Sequence, residues 1–350
     1  MVQGTARKAE RLLVTGAGGF IGHHLVKYLV GRGYWVRGAD IKPPEYEHSP
    51  AHEFHVVDLR DTEVCLAVSR DIDQVFHLAA DMGGMGYTLV ERAKIARNNT
   101  LMNLHILEAA RVNHVGRFLF ASSVSVYPQD LQKEADSRPL REDDVWPADP
   151  EEGYGLERLY GEKLCQYYTE DHGLETRVAR FHNVFGPLGS YQGGKEKAPA
   201  AICRKVALAA PGGTVEVWGD GKQTRSFIYV SDCVEGLHRL MQSDCRIPLN
   251  LGTDVKVTVD ELVALVARVA GKTITIRHNQ LMPQGVRGRN SDNTLLRHVL
   301  EWEPKVSLLE GLALTYAWIA EQLAQRHAGA EPCAAAAAPA EPRVPESAAA

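Results

Sequence analysis

None of the six cysteines pairs with another as CxxC, and none stands at a Cys/His ligand spacing. That scarcity argues against a zinc site, leaves no metal expected, and argues equally against a disulfide framework. A reducing compartment, the cytoplasm, is the location this implies. Long apolar runs are missing too. No stretch approaches the roughly 20 residues of a membrane-spanning helix, so no membrane partner is expected. The opening MVQGTARKAER passes straight into a strand-like LLVTG, without the apolar segment of a signal peptide. Charge of either sign is not in large excess. A net charge of -5 gives no footprint for nucleic acid. No internal repeat is visible.

What is present is ordinary for a globular enzyme. Apolar residues make up 45% and charged ones 24%, enough for one large core or two fused lobes. Strand-like runs occur at Arg11–Thr15, Trp35–Asp40, Phe54–Asp58, Gln74–Leu78 and Arg117–Ser122. Helical patterns lie between them, notably over 19–33 and 90–112. Alternation of this kind implies an α/β fold with a doubly wound parallel sheet. A helix starting near Tyr154 and a strand over 175–181 extend it. After residue 182 the loops become rich in Gly and Pro, as in GPLGSYQGG and MPQGVRGRN. The expected organisation is a cofactor domain over 1–182 and a smaller substrate lobe over 183–327. A helix near 230–242 returns to the main sheet. Residues 328–350, rich in Ala and Pro, read as a disordered tail.

VTGAGGFIG places Gly16, Gly19 and Gly22 after a strand and at the start of a helix. Glycines allow a tight turn, close backbone approach to a pyrophosphate and close helix–strand packing. The helix N-terminus adds N–H groups and a positive dipole end. Asp40 closes the next strand, about 24 residues after Gly16. An acid there suits a ribose 2′-hydroxyl and repels a 2′-phosphate, which favours NAD over NADP. The context is that of a Rossmann-type sheet. Asp58 either meets the adenine edge or caps a turn.

Further motifs carry a family resemblance. They are HLAAD (77–81), NNT (98–100), SSVSVYP (122–128) and Tyr154 with a basic residue four positions on. Together with the Gly-rich turn they resemble the extended short-chain dehydrogenases/reductases. ADMGGMGY (80–87), RFHNVFGP (180–187), GGKEKAPAAICRK (193–205), WGDGKQTRSF (218–227) and GVRGRNSDN (285–293) closely resemble the GDP-mannose 3,5-epimerases. The resemblance spans about residues 11–325. It implies a GDP-sugar substrate and bound NAD. The sugar would be oxidised at C4, exchange protons at C3 and C5, and be reduced again. It also implies a homodimer built on the helices near 90–112 and 154–172, although that pair could equally be buried within one chain.

The resemblance assigns roles to single residues. Tyr154 would take the C4 hydroxyl proton. A free tyrosine has a pKa near 10, and a cation at i+4 lowers it. The family has lysine at that position; this chain has Arg158, which keeps the charge but is planar and bulkier. Ser123 would hydrogen-bond the C4 oxygen, or cap the strand end. Lys197 matches the family's acid/base lysine. Ser125 stands where the family has an acid/base cysteine, and a hydroxyl is far less acidic than a thiol. That departure leaves epimerisation at C3 and C5, at one carbon, or at C4 alone all open, as well as an impaired homologue. Val124 and Ser125 supply no carboxylate, which argues against dehydration. Arg225 and Arg289 suit a diphosphate, and Lys205, Gln223, Gly83, Asn183 and Glu196 match the remaining substrate-contact positions. His23 and His24 read as surface or cofactor-adjacent residues, Cys165 and Cys203 as small core residues.

Overall fold

Each short apolar run that ends at a polar turn becomes a strand. The computed structural model describes residues 9–282 and 284–329. The first half runs β1 (Arg11–Thr15), α1 (Phe20–Gly31), β2 (Trp35–Asp40), β3 (Glu53–Val56), α2 (Thr62–Val68), β4 (Gln74–His77), α3 (Met85–Val90), α4 (Arg92–Val112), β5 (Arg117–Ser123), α5 (Tyr154–His172) and β6 (Glu175–Phe181). The second half runs β7 (Asn183–Phe185), α6 (Ala198–Leu208), β8 (Thr214–Trp218), β9 (Thr224–Tyr229), α7 (Val230–Gln242), β10 (Leu249–Leu251), β11 (Lys256–Thr258), α8 (Val259–Ala270), β12 (Thr275–Asn279), β13 (Gly288–Arg289), α9 (Thr294–Leu300) and α10 (Leu308–Gly329).

Seven strands form one parallel sheet in the order β10-β6-β5-β4-β1-β2-β3. Its central strands are apolar on both faces because each face is covered. Alternate side chains of one strand feed two cores. Leu12 and Val14 join Leu25, Val26 and Leu29 of α1 in one cluster. Leu13, between them, joins Ile106, Leu107 and Ala110 of α4 in the other. The strand expected over 54–58 sits at Glu53–Val56. It is an edge strand, paired only with β2, so fewer neighbours fix its limits.

Strand order reverses between β1 and β4, and ligands bind beyond the carboxyl ends at such a point. The Gly-rich turn, Asp40 and Ser123 all lie at carboxyl ends, of β1, β2 and β5 respectively. Beyond residue 182 the chain builds a four-stranded sheet from β7, β9, β11 and β13, and a separate β8–β12 pair. Helices α6, α8 and α10 pack on one another. The chain then returns: α7 packs against α1, and β10 extends the main sheet beside β6. The tail expected from 328 lies, from residue 330 on, outside the described residues.

Candidate active site

The turn after β1 is shaped by glycine. Gly16 has φ +71°, and a Cβ there would lie 2.8 Å from the Ala79 backbone nitrogen. A Cβ on Gly18 would fall 2.0 Å from the Lys42 carbonyl oxygen, and one on Gly22 2.1 Å from that of Gly16. No side chain caps Gly19 at the head of α1, and no acid stands in the first turn. The helix dipole is thus free for a phosphate. Asp40 accepts from Gly18 N at 3.0 Å and from Lys42 N at 3.2 Å. Burial raises its pKa, and those N–H groups pull the other way. Asp58 is gripped by Arg60, whose Nε lies 2.9 and 3.0 Å from its two oxygens. That pairing holds the carboxyl below its ordinary range. His23 is not a surface residue. It is 3% exposed, its Nε2 lies 2.7 Å from Glu47 Oε1, and it lines the cleft beside Gly18 and Gly19. His24 Nε2 reaches the Pro187 carbonyl oxygen at 2.9 Å. Cys165 and Cys203 are buried in the core.

Tyr154 begins α5, and Arg158 follows one turn later on the same face. Arg158 is only 1% exposed, so this is no surface pair. Its guanidinium lies 5.2 Å from the Tyr154 ring centroid. Nη1 donates to the Ala121 carbonyl at 2.9 Å, and Nη2 has no partner among the described residues. Burial raises the Tyr154 pKa; Arg158 and the Ser123 hydroxyl pull it down without cancelling that rise. The cation at i+4 therefore does not by itself lower this phenol, because desolvation is the larger effect. Ser123 Oγ accepts from Ser125 N at 3.2 Å. Ser125 is buried in a 3-10 turn (Val124–Val126), and no residue described donates to or accepts from its hydroxyl.

The second lobe brings cations to the same cleft. Arg289 Nε donates to Gln132 Oε1 at 2.5 Å, and its Nη2 lies 3.7 Å from Glu151 Oε2. Burial first, and Arg289 second, hold Arg225 below the ordinary arginine range. A guanidinium stays charged even so, and two neighbouring guanidiniums suit an anion. Lys197 caps α6. The residue as a whole is exposed, yet its ammonium is crowded by protein. That desolvation, with Arg289 nearby, lowers its pKa, while Cys233 acts the other way. Glu151 links the groups: its charge reaches Tyr154, Arg225 and Arg289.

Other residues singled out by sequence hold the frame. Lys205 Nζ donates to the Glu216 carbonyl at 2.7 Å, Gln223 Nε2 to that of Trp218 at 2.9 Å, and Asn183 Nδ2 to that of Ser226 at 3.0 Å. Glu196 accepts from Gly194 N at 2.7 Å. Gly83 is buried against the Tyr87 ring, where a Cβ would come within 3.0 Å. Sequence reading missed Glu151, Gln132 and Glu157. Glu157 stood in plain view inside YGLER, next to the arginine that drew attention.

The glycine turn, the uncapped helix and the orphaned Nη2 together fit a dinucleotide. Residues 12–252 match the model of the NAD dependent epimerase/dehydratase family. The chain belongs to that family. GDP-mannose 3,5-epimerase 1 of Oryza sativa subsp. indica is 48% identical over 315 residues, 89% of this chain and 82% of the relative. GDP-mannose 3,5-epimerase of Arabidopsis thaliana is 46% identical over 320 residues, 91% and 84% of the two chains. The UDP-glucose 4-epimerase of Thermus thermophilus, solved with NAD, superposes with a TM-score of 0.77 at 28% identity, covering 88% of this chain and 98% of that one. As a member of the NAD dependent epimerase/dehydratase family, this chain uses NAD. Among the described residues, no helix is long and apolar enough to cross a membrane, and no cluster of His, Cys, Asp or Glu is placed for a metal.

Proposed function

We propose that this chain is a nucleotide-sugar epimerase that acts on GDP-mannose at C3 and C5. One observation supports the reading: Glu151, 3.7 Å from Arg289 Nη2 of the second lobe, also acts on Arg225 of that lobe and on Tyr154 of the first, and Arg289 in turn acts on Lys197. The identity to named GDP-mannose 3,5-epimerases supports the choice of sugar. The two arginines hold the diphosphate. Gly16, Gly19, Gly22 and Asp40 hold the cofactor, with Asp58 at its adenine end. When bound, NAD supplies the acceptor for a hydride from C4 and gives it back. Tyr154 takes the proton from the C4 hydroxyl, and Ser123 hydrogen-bonds the same oxygen. A ketone at C4 acidifies the hydrogens at C3 and C5. Lys197, whose ammonium is held below its ordinary range by desolvation, exchanges a proton on one face of the ring. Ser125 stands at the other face. Gly83, Asn183, Glu196, Lys205 and Gln223 shape the pocket.

The bare Ser125 hydroxyl favours a second reading, inversion at one carbon or at C4 alone. Incubation with GDP-mannose in deuterated water separates them. NMR should find deuterium at both C3 and C5; label at neither would end the first reading.

The same proposal includes a cytoplasmic homodimer. Leu156, Tyr160 and Tyr167 lie exposed along one stripe of α5. A partner's matching stripe would bury them.

A further inference from the structure

A lysine ammonium is a point charge whose three hydrogens rotate to suit a partner. A guanidinium is a flat fork, and its use depends on which edge it presents. In this chain something sets that edge. Arg158 Nε donates to Glu157 Oε1 at 2.7 Å, Nη1 is taken by Ala121, and Nη2 alone is left over. The Glu157 carboxylate is itself 5% exposed and tightly held. Oε1 also accepts from Asn99 Nδ2 at 2.8 Å, and Oε2 from Asn103 Nδ2 at 3.1 Å. Behind Asn103 stands His77, with Nε2 3.0 Å from Asn103 Oδ1. Its Nδ1 lies 2.8 Å from Thr15 Oγ1. Burial pushes His77 down to about 3, so the ring is neutral and bridges the two neighbours. Thr15 is the last residue of β1, directly before the Gly-rich turn. One chain of buried hydrogen bonds thus runs from that turn to the guanidinium beside Tyr154.

We propose that Glu157 is a positioning residue: it clamps Arg158 so that the Nη2 edge faces the nicotinamide ribose, and this clamp lets arginine serve where the family pattern has lysine. The inference rests on the reading that Arg158 lines the cofactor site. The clamp has an electrostatic cost, because the Glu157 charge pushes the Tyr154 phenol up while Arg158 pulls it down.

The test is NAD+ binding by calorimetry, which needs no sugar turnover. It compares the native chain with E157Q, R158K, the double variant E157Q/R158K and R158A, with thermal midpoints as a check on folding. With Arg158 present, Glu157→Gln should weaken NAD+ by about tenfold, the scale of one charge-assisted hydrogen bond. With lysine at 158 the same change should cost less than about twofold, since an ammonium needs no aligned edge. Equal losses in both backgrounds, or none, would overturn the clamp. If E157Q does not fold, Glu157→Asp keeps the charge and retracts it by one methylene; unchanged affinity in E157D would be equally fatal. R158A separates the two ideas. Native affinity in R158A removes the cofactor-facing reading and the clamp with it. A loss in R158A without one in E157Q removes the clamp alone.

Discussion

At the scale of single residues, Ser125 bears most directly on the proposed chemistry. Ser125 has neither a thiol's acidity nor, among the described residues, a partner to activate it. Ser125→Cys should therefore raise epimerisation, and deuterium exchange at C3 and C5 should rise in step. If exchange stays unchanged, Ser125 is not the limiting group. Lys197→Met should abolish C3/C5 exchange while leaving NAD+ affinity within about twofold, because the amine belongs to the substrate side. Tyr154→Phe should lower turnover by about 10²–10⁴-fold, the usual range for loss of a general base, with the thermal midpoint nearly unchanged. These candidates were legible because each residue sits in a long motif. Glu157 and Glu151 were not, since a carboxylate's task depends on which cations the fold brings beside it. The direction of the Tyr154 shift was also hidden. A sequence displays the i+4 cation but not the burial that outweighs it.

At the scale of elements, six of the seven strands of the main sheet could be read from alternation, and their limits agree within a residue or two; β10 was not among them. The reason is physical: a parallel strand covered on both faces is a continuous apolar run between polar turns. Short strands of the second lobe left weaker marks. The two-residue β13 owes its place to pairing with β9 rather than to its own pattern. The turn between β1 and α1 offers a sharp test. Gly18→Ala would drive a methyl group into the Lys42 carbonyl and move the segment that carries Asp40. The expected cost is about 1–3 kcal/mol of stability, with a larger loss of NAD+ binding. Urea unfolding and calorimetry measure the two; a variant that binds NAD+ normally would show that this turn is not the dinucleotide site.

At the scale of the whole molecule, buried histidines set the response to acid. His77 and His182 are both pushed down to about 3 by burial. In the unfolded chain they titrate near 6.5. Between those values the unfolded chain holds more protons, so stability rises with pH through this window and is lost as pH falls from 6.5 toward 3. Going from pH 7 to pH 5 should cost about 2 kcal/mol per histidine. Half-buried Asp40 and Glu142, shifted upward, act in the opposite sense. The difference in slope between the native chain and His182→Gln, from urea curves at both pH values, isolates one histidine. Identical slopes would contradict the assignment. For the assembly, light scattering should find a dimer, and Leu156→Asp should convert it to single chains. The return of α7 and β10 to the first lobe has a last consequence, for anyone who would recombine this chain with its relatives. A hybrid joined once near residue 182 would take its outermost strand and one covering helix from a foreign parent. Grafting a new sugar preference therefore calls for two junctions more, so that residues 230–251 travel with the half of the protein they cover.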